Sequence, residues 1–476
     1  MKFILPAVWV IPMVTALLTA NITKNYPTLG RWIMMISQSL VFVMLLGLAG
    51  IGDNQTGIRL ICMFLVSLGT LAAIGSHTRS LRSSNSEEYR LDSISLLLGL
   101  EGLGFAVLLS EDAVVLLSFL GLIPILLALL LSSTTVWRSI AALWLMWSCY
   151  LFSLLLRAVD VHNHSGGQWS FVLAELVQIA SSSQHVVTAS ICLSIASWIG
   201  LGLWPFHHWL ATIAAFERPS IGIFILVVWR AVSFYLFVHL TLPILAHLSY
   251  PWQLSLYILG MVGIVHGILV AYAHCNVRYK LVFALQSLWQ VALLGILSGS
   301  LPGLLGAFMS IISQSCAAAI LLIWTHDISQ KTASISVWLV AIAALTFVGM
   351  PGFAGFTGNT LLFASWGREL TSSPWRAILM IVGVGITALS LSVIFAQIVA
   401  FSKVTVFSFS EITKNFSIQR WILNHFTVLP LALVLCTANV WLPVLKKLLV
   451  EQRTQATMTL QIAGDQPPSV KKSSQQ

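Results

Sequence analysis

The chain has 476 residues, 58% of them hydrophobic and only 8% charged, with a formal net charge of +9. A soluble domain carries about 25% charged residues, and a soluble fold could not hide this much apolar surface, so lipid must be the solvent for most of the chain. The basic residues do not form a patch on one folded unit, which argues against a nucleic-acid partner; they sit in short loops between apolar runs, as in membrane proteins.

Runs long enough to cross about 30 Å of hydrocarbon are predicted, in chain order, at 3–20, 33–51, 58–75, 93–110, 113–132, 138–157 and 186–204. They continue at 219–241, 251–273, 280–298, 302–324, 334–366, 375–401 and 424–445. The expected fold class is therefore an all-α integral membrane protein of about fourteen transmembrane helices. The first run, with one lysine before it, could pass for a signal peptide; a retained first helix is the preferred reading. Gln168 to Ala180 is mixed in character and reads as an interfacial helix. The polar stretch 450–476 is expected to be disordered. Cys62, Cys149, Cys192, Cys275, Cys316 and Cys436 are read as small packing residues inside apolar segments; they form no C-x-x-C pair, so neither a disulfide framework nor a metal cluster is expected.

Charge asymmetry gives an orientation. Loops after odd-numbered spans carry Lys24, Arg31, Arg79, Arg82, Arg90, Arg138, Arg218, Arg278, Lys280, Lys331, Lys403, Lys414 and Arg420. The other side, without the tail, carries Lys2, Arg59, Arg157, Arg368 and Arg376. The odd loops are therefore expected on the cytoplasmic side, or its organellar equivalent.

Two spans are interrupted by proline. Gly200-Leu-Gly-Leu-Trp-Pro205-Phe-His-His-Trp-Leu210 lies in the seventh, and Phe347-Val-Gly-Met-Pro351-Gly-Phe-Ala-Gly-Phe356 in the twelfth. One such proline is ordinarily a kink. Two of them five spans apart predict two inverted five-helix repeats with broken helices 7 and 12. The expected division is 1–92 for helices one to three, 93–241 and 242–401 for the repeats, 402–449 for the last helix and 450–476 for the tail.

The motifs themselves resemble a known family. Pro205-Phe-His-His-Trp-Leu210, followed by Glu217-Arg-Pro219-Ser, is similar to its P-F-H-x-W-L-P-x-A-H-x-x-A-P-T-P-V-S. Val277-Arg-Tyr-Lys280 through Ser287-Leu-Trp-Gln290 and Leu293-Leu-Gly-Ile296 resemble D-I-K-R-L-L-A-Y-S-x-I-S-Q and L-L-G-I. Gly349-Met-Pro-Gly-Phe-Ala-Gly-Phe356 resembles G-L-P-G-F-x-G-F. Leu109-Ser-Glu-Asp and its apolar sequel, and Trp169 to Leu176, match the start of helix five and the loop helix before helix seven. In this order, over roughly 55–400, they resemble the antiporter-like, proton-translocating membrane subunits of complex I and of multisubunit cation/proton antiporters.

The resemblance implies a row of buried charges at mid-membrane, and most are absent. No acid lies at 117–121, where the helix-five glutamate belongs. The helix-seven lysine falls on Gly200, the helix-eleven histidine and lysine near Gln314 and Ala318, and the helix-twelve lysine or glutamate on Asn359. The helix-eight lysine falls on Arg230, which keeps the charge but does not release a proton at working pH. Ion-pathway candidates are Arg230, Glu101, His207 and Lys280. Arg230 lies midway along an apolar run, where it is either half of a structural ion pair or part of an ion path. Glu101 is the one acid placed at a helix centre, a candidate partner for Arg230 and a stand-in for the missing glutamate. His207 and His208 follow the helix-seven break, either packed or capping carbonyls it frees. His266 reads as a lone packed histidine, and Lys280 as a topology charge at a loop edge. No catalytic residue, metal site or cofactor is expected in this chain, and Gly102-Leu-Gly104 is not a dinucleotide fingerprint.

The expected partners are other membrane subunits of a multisubunit complex and membrane lipid. The expected location is a bacterial plasma or thylakoid membrane, ahead of a mitochondrial inner membrane. Function is expected in an NADH- or ferredoxin:quinone oxidoreductase-type complex, as a proton-translocating subunit or as a structural relative that conducts nothing. The alternative is a cation/proton antiporter or an inorganic-carbon uptake complex.

Overall fold

The computed structural model describes residues 4–372, apart from short stretches at 23–26, 52–56, 83–90, 132–136, 166, 179–184, 217, 246–249 and 330–336, and a few positions beyond 372. The thirteenth and fourteenth expected spans and the tail lie outside the described residues, single positions excepted. The described residues are helical, with one isolated bridge, Asp112 to Val172, in place of any sheet.

The helices follow the apolar runs. They are α1 Ile4–Ile22, α2 Pro27–Ile51, α3 Gly57–Arg82, α4 Leu91–Leu109, α5 Ala113–Leu130 and α6 Trp137–His164. After the short α7, Leu173–Gln178, come α8 Val186–Leu201 and α9 His208–Phe216. One long rod then runs from Pro219 to Leu245, followed by α13 Tyr250–Ala273, α14 Val277–Leu297, α15 Leu301–Ser329, α16 Val337–Val348 and α17 Ala354–Ser372. Within the rod, α10 (Pro219–Ile223), α11 (Arg230–Leu236) and α12 (Leu242–Leu245) alternate with π-helical turns at Phe224–Trp229 and Phe237–Thr241. The sequence gives no sign of these wider turns, which occur in helices chiefly at functional sites.

Among the described residues, seven helical segments are long and apolar enough to cross a membrane, with shorter apolar helices beside them. Three of the seven, the Pro219–Leu245 rod, α14 and α15, are almost wholly enclosed, whereas α5, α6 and α13 turn about half of their surface outward. Those outer surfaces carry Leu129, Leu145, Val265 and Leu269, while the interior holds Glu101, Arg230, Gln286 and Gln290. Apolar outside and polar inside is the distribution lipid demands. The chain is an integral membrane protein.

Local chemistry explains several helix ends. Asp112 caps α5 by accepting from the Val114 and Val115 amides at 2.8 and 3.3 Å, and Asn276 caps α14 through the Arg278 amide at 2.9 Å. Of the stretch expected as an interfacial helix over 168–180, the described residues are helical from Leu173 to Gln178 and not before. Its first part is extended because it hydrogen-bonds to the strand-like residues before α5: the Ala113 amide donates to Phe171 at 2.8 Å and the Leu173 amide to Glu111 at 2.9 Å. Cys275 also differs from expectation: it is exposed in the turn between α13 and α14, and Cys436 is exposed as well.

Candidate functional site

The two proline segments interrupt their helices, and in the same manner. Helix α8 stops at Leu201, and Gly202 follows at φ +64°. Its amide donates to Ile199 at 3.0 Å and the Leu203 amide to Trp198 at 2.9 Å. Helix α16 stops at Val348, and Gly349 follows at φ +79°. Its amide donates to Thr346 at 3.1 Å and the Met350 amide to Leu345 at 3.0 Å. Both are the glycine-terminated end in which the first two residues past the helix bond back three and five positions. The chain then resumes as α9 and α17.

Breaking a helix inside lipid frees carbonyls that must find donors. At the first break the donors are tryptophans, so of the two roles open to His207 and His208, capping falls to other side chains. Trp209 Nε1 donates to Ile199 and Trp229 Nε1 to Gly200, each at 2.8 Å, and Trp198 Nε1 donates to Trp204 at 3.1 Å. His207 lies beside these, buried, with its ring 4.7 Å from that of His266 and 5.7 Å from that of Phe283. His266 is therefore not a lone histidine. The Nδ1 atoms of both have no hydrogen-bond partner among the described residues.

Arg230 opens α11, directly after the first π-helical turn, and is fully buried. Its guanidinium carbon stands 4.4 Å from the centre of the Trp289 ring, a cation–π contact. None of its three nitrogens has a hydrogen-bond partner among the described residues. A buried cation–π contact is worth about 0.5–2 kcal/mol, whereas an arginine at a helix centre costs at least about 2.5–3.5 kcal/mol even on insertion scales. Trp289 alone therefore does not compensate the charge.

The expected pairing of Arg230 with Glu101 is not formed. The ion pairs among the described residues are Arg59–Glu111, Arg157–Asp160 and His185–Asp160. Glu101 is fully buried in α4 and turns to α2 instead, where its Oε2 accepts from Gln38 Nε2 at 2.5 Å. The neighbouring Gly104 is what faces α11, beside Val232. The sequence contained Gln38 but no periodicity that tied it to Glu101; only the packing of α2 and α4 around α1 and α3 brings them together.

The positions where the resemblance implies charges are filled by packing. A Cβ on Gly200 would already lie 3.1 Å from the Met146 sulfur and 3.2 Å from Ser233 Oγ, so no long side chain fits there without rearrangement. Gln314 is buried, and its Nε2 donates to Ser310 Oγ at 2.6 Å; Ala318 is buried one turn on. Asn359 is half-buried, its amide against Gly349 at the second break, where a Cβ on the glycine would come within 2.6 Å of Asn359 Nδ2. Lys280 is half-buried in the first turn of α14, far along that helix from Trp289.

Two groups of polar residues escaped the sequence reading. Gln286, Trp289 and Gln290 share one face of α14 by their spacing of three and four. All are buried, and Gln286 Nε2, Trp289 Nε1 and both amide atoms of Gln290 lack partners among the described residues. The signal was two glutamines four apart in an apolar helix. The second group corrects an assignment. Arg157 is no loop charge: α6 runs on to His164, and Arg157 is buried within it. Its Nε donates to the Leu176 carbonyl at 2.9 Å, and it pairs at 3.5 Å with buried Asp160, which also meets His185 Nδ1 at 2.9 Å. This cluster ties α7 and the start of α8 to the end of α6.

No family model matches the chain. It is 25% identical over 309 residues, 61% of its length and 58% of the other's, to NAD(P)H-quinone oxidoreductase chain 4 1 of Synechococcus elongatus. It is 25% identical over 228 residues, 44% of its length and 45% of the other's, to NADH-quinone oxidoreductase subunit M of Escherichia coli. The chain is thus similar in sequence to subunits of quinone oxidoreductases. The alignments span about half the length of these curated relatives. The fold is that of a chain in respiratory complex I from Thermus thermophilus, with a TM-score of 0.70 at 20% identity, covering 93% of this chain and 98% of that one. Within this fold, the sequence motifs around Pro205 and Pro351 are the two helix breaks.

Proposed function

We propose that the chain is an antiporter-like membrane-arm subunit of an NADH- or ferredoxin:quinone oxidoreductase-type complex in a bacterial plasma or thylakoid membrane. The observation that carries this is near-complete coverage of a complex I chain by a fold interrupted at two matching places. Its partners are other membrane subunits, and it works among lipid. The cation-antiporter and inorganic-carbon readings draw no support from the relatives named above.

The matching glycine-terminated breaks support two five-helix repeats at 93–241 and 242–401, within about fourteen spans. In the first repeat Glu101 is the titratable group proposed to bind and release a proton, because arginine at 230 does not release one. His207, next to His266 at the break, and Lys280, at the helix edge, are the proposed flanking groups of the path. Loss of the other charges points to a member that contributes less pumping than support, with Glu101 as its remaining carrier.

The test is co-purification of the tagged full chain from its native membrane, followed by mass spectrometry. Redox and quinone-site subunits are the expected companions. Recovery with cation-antiporter subunits alone, or with a soluble zinc protein, overturns the assignment.

A further inference from the structure

We propose that Arg230 and the Trp289 face of α14 form a buried binding site for a small monovalent anion. This goes beyond the subunit's assignment and does not depend on whether the chain conducts protons.

A guanidinium presents five N–H donors in its plane. The Trp289 ring covers one face of that plane, at 4.4 Å, and leaves the donors around its edge. No described residue accepts from Nε, Nη1 or Nη2, and the residue is fully buried. Trp289 Nε1 belongs to that same ring system and has no partner among the described residues. Gln286 Nε2, three positions earlier on the same face of α14, is likewise unpartnered among them. Ser233 Oγ stands against Gly200 and the Gln290 amide against Gly263, so both face away from this group.

Among the described residues the guanidinium combines a full positive charge with neutral donors and pairs with no carboxylate, a set that selects an anion and repels a cation. Glu101 is bonded to Gln38 instead. Water would satisfy the donors but would not balance the charge, whereas a single monovalent anion does both. The charge is permanent, so the site is not emptied by titration of the arginine.

The experiment uses the full chain with its co-purifying membrane subunits in lipid nanodiscs. The melting temperature is followed as potassium chloride replaces potassium gluconate at constant ionic strength. The wild type is expected to show a saturable rise in Tm, as for any ligand that binds only the folded state. Arg230→Met is expected to match or exceed the wild-type Tm in gluconate and to lose the chloride response. Trp289→Phe, which keeps the arginine and a ring beneath it but removes the Nε1 donor, is expected to raise the half-saturating chloride concentration severalfold. A wild-type Tm indifferent to chloride overturns the proposal, as does a response that Arg230→Met retains. Should Arg230→Met fail to fold, Trp289→Phe decides: an unchanged half-saturation point overturns the site.

Discussion

At the scale of single residues, the polar interior divides into groups that are satisfied and groups that are not. Arg157 and Asp160 are ion-paired at 3.5 Å and, through Leu176 and His185, tie three helices together, with Asp160 Oδ2 left without a hydrogen bond among the described residues. Arg230 rests on Trp289 without a hydrogen-bonding partner among the described residues. Glu101 bonds to neutral Gln38, and no arginine among the described residues pairs with it to hold it ionised. That removes the objection to it as a relay, since an acid locked in an ion pair is a poor one. Glu101→Gln keeps a carbonyl oxygen for Gln38 to donate to, so the amount of assembled protein should stay near wild type. Proton flux in membrane vesicles should fall to background. Unchanged flux with normal assembly would remove Glu101 from the path and leave the chain as a support.

At the scale of elements, the informative feature is how the helices end. Gly202 and Gly349 sit in the left-handed region, where a side chain costs roughly 1–2 kcal/mol. At Gly202 a Cβ would also come within 2.6 Å of Leu210, in the first turn of α9. Gly202→Ala is therefore expected to destabilise the protein by at least about 1 kcal/mol and to move His207 from His266. A thermal melt reads the first effect, and the histidine NMR signals read the second. A variant as stable as the wild type with unshifted histidine signals would show that the break does not depend on this turn. The π-helical turns on either side of α11 belong to the same scale: they shift the facing of Arg230 and Ser233 relative to a regular helix.

At the scale of the whole molecule, the enclosed rod Pro219–Leu245, α14 and α15 form the interior, and the half-exposed helices form a lipid-facing shell. The charge bias of the loops gives this bundle an orientation that Cys275 can report, because it is exposed in the turn after the ninth span. In a variant retaining Cys275 alone, a membrane-impermeant maleimide should label it in inside-out vesicles and not in right-side-out ones. The opposite pattern would reverse the orientation drawn from the loop charges.

Much of this was legible in the sequence for a physical reason. Hydrophobic length has to match the bilayer, so the apolar runs located the helices. Glycine and proline restrict the backbone locally, so Gly200 to Pro205 and Phe347 to Pro351 located the breaks. What a side chain touches across the bundle has no local signature. The sequence placed Arg230 and Glu101 in one repeat, and pairing them was reasonable from charge alone. The tertiary structure turned Glu101 to Gln38 on α2 and Arg230 to Trp289 on α14. It likewise buried Arg157, which by position looked like a loop charge, because α6 continues a further turn and more than the apolar run does. The sequence by itself determined that this chain is a bundle of membrane helices broken at two glycine–proline points, because those are local and solvent-imposed properties. Which buried charges meet was decided only by the packing of helices distant in sequence, because a contact requires both partners to be positioned.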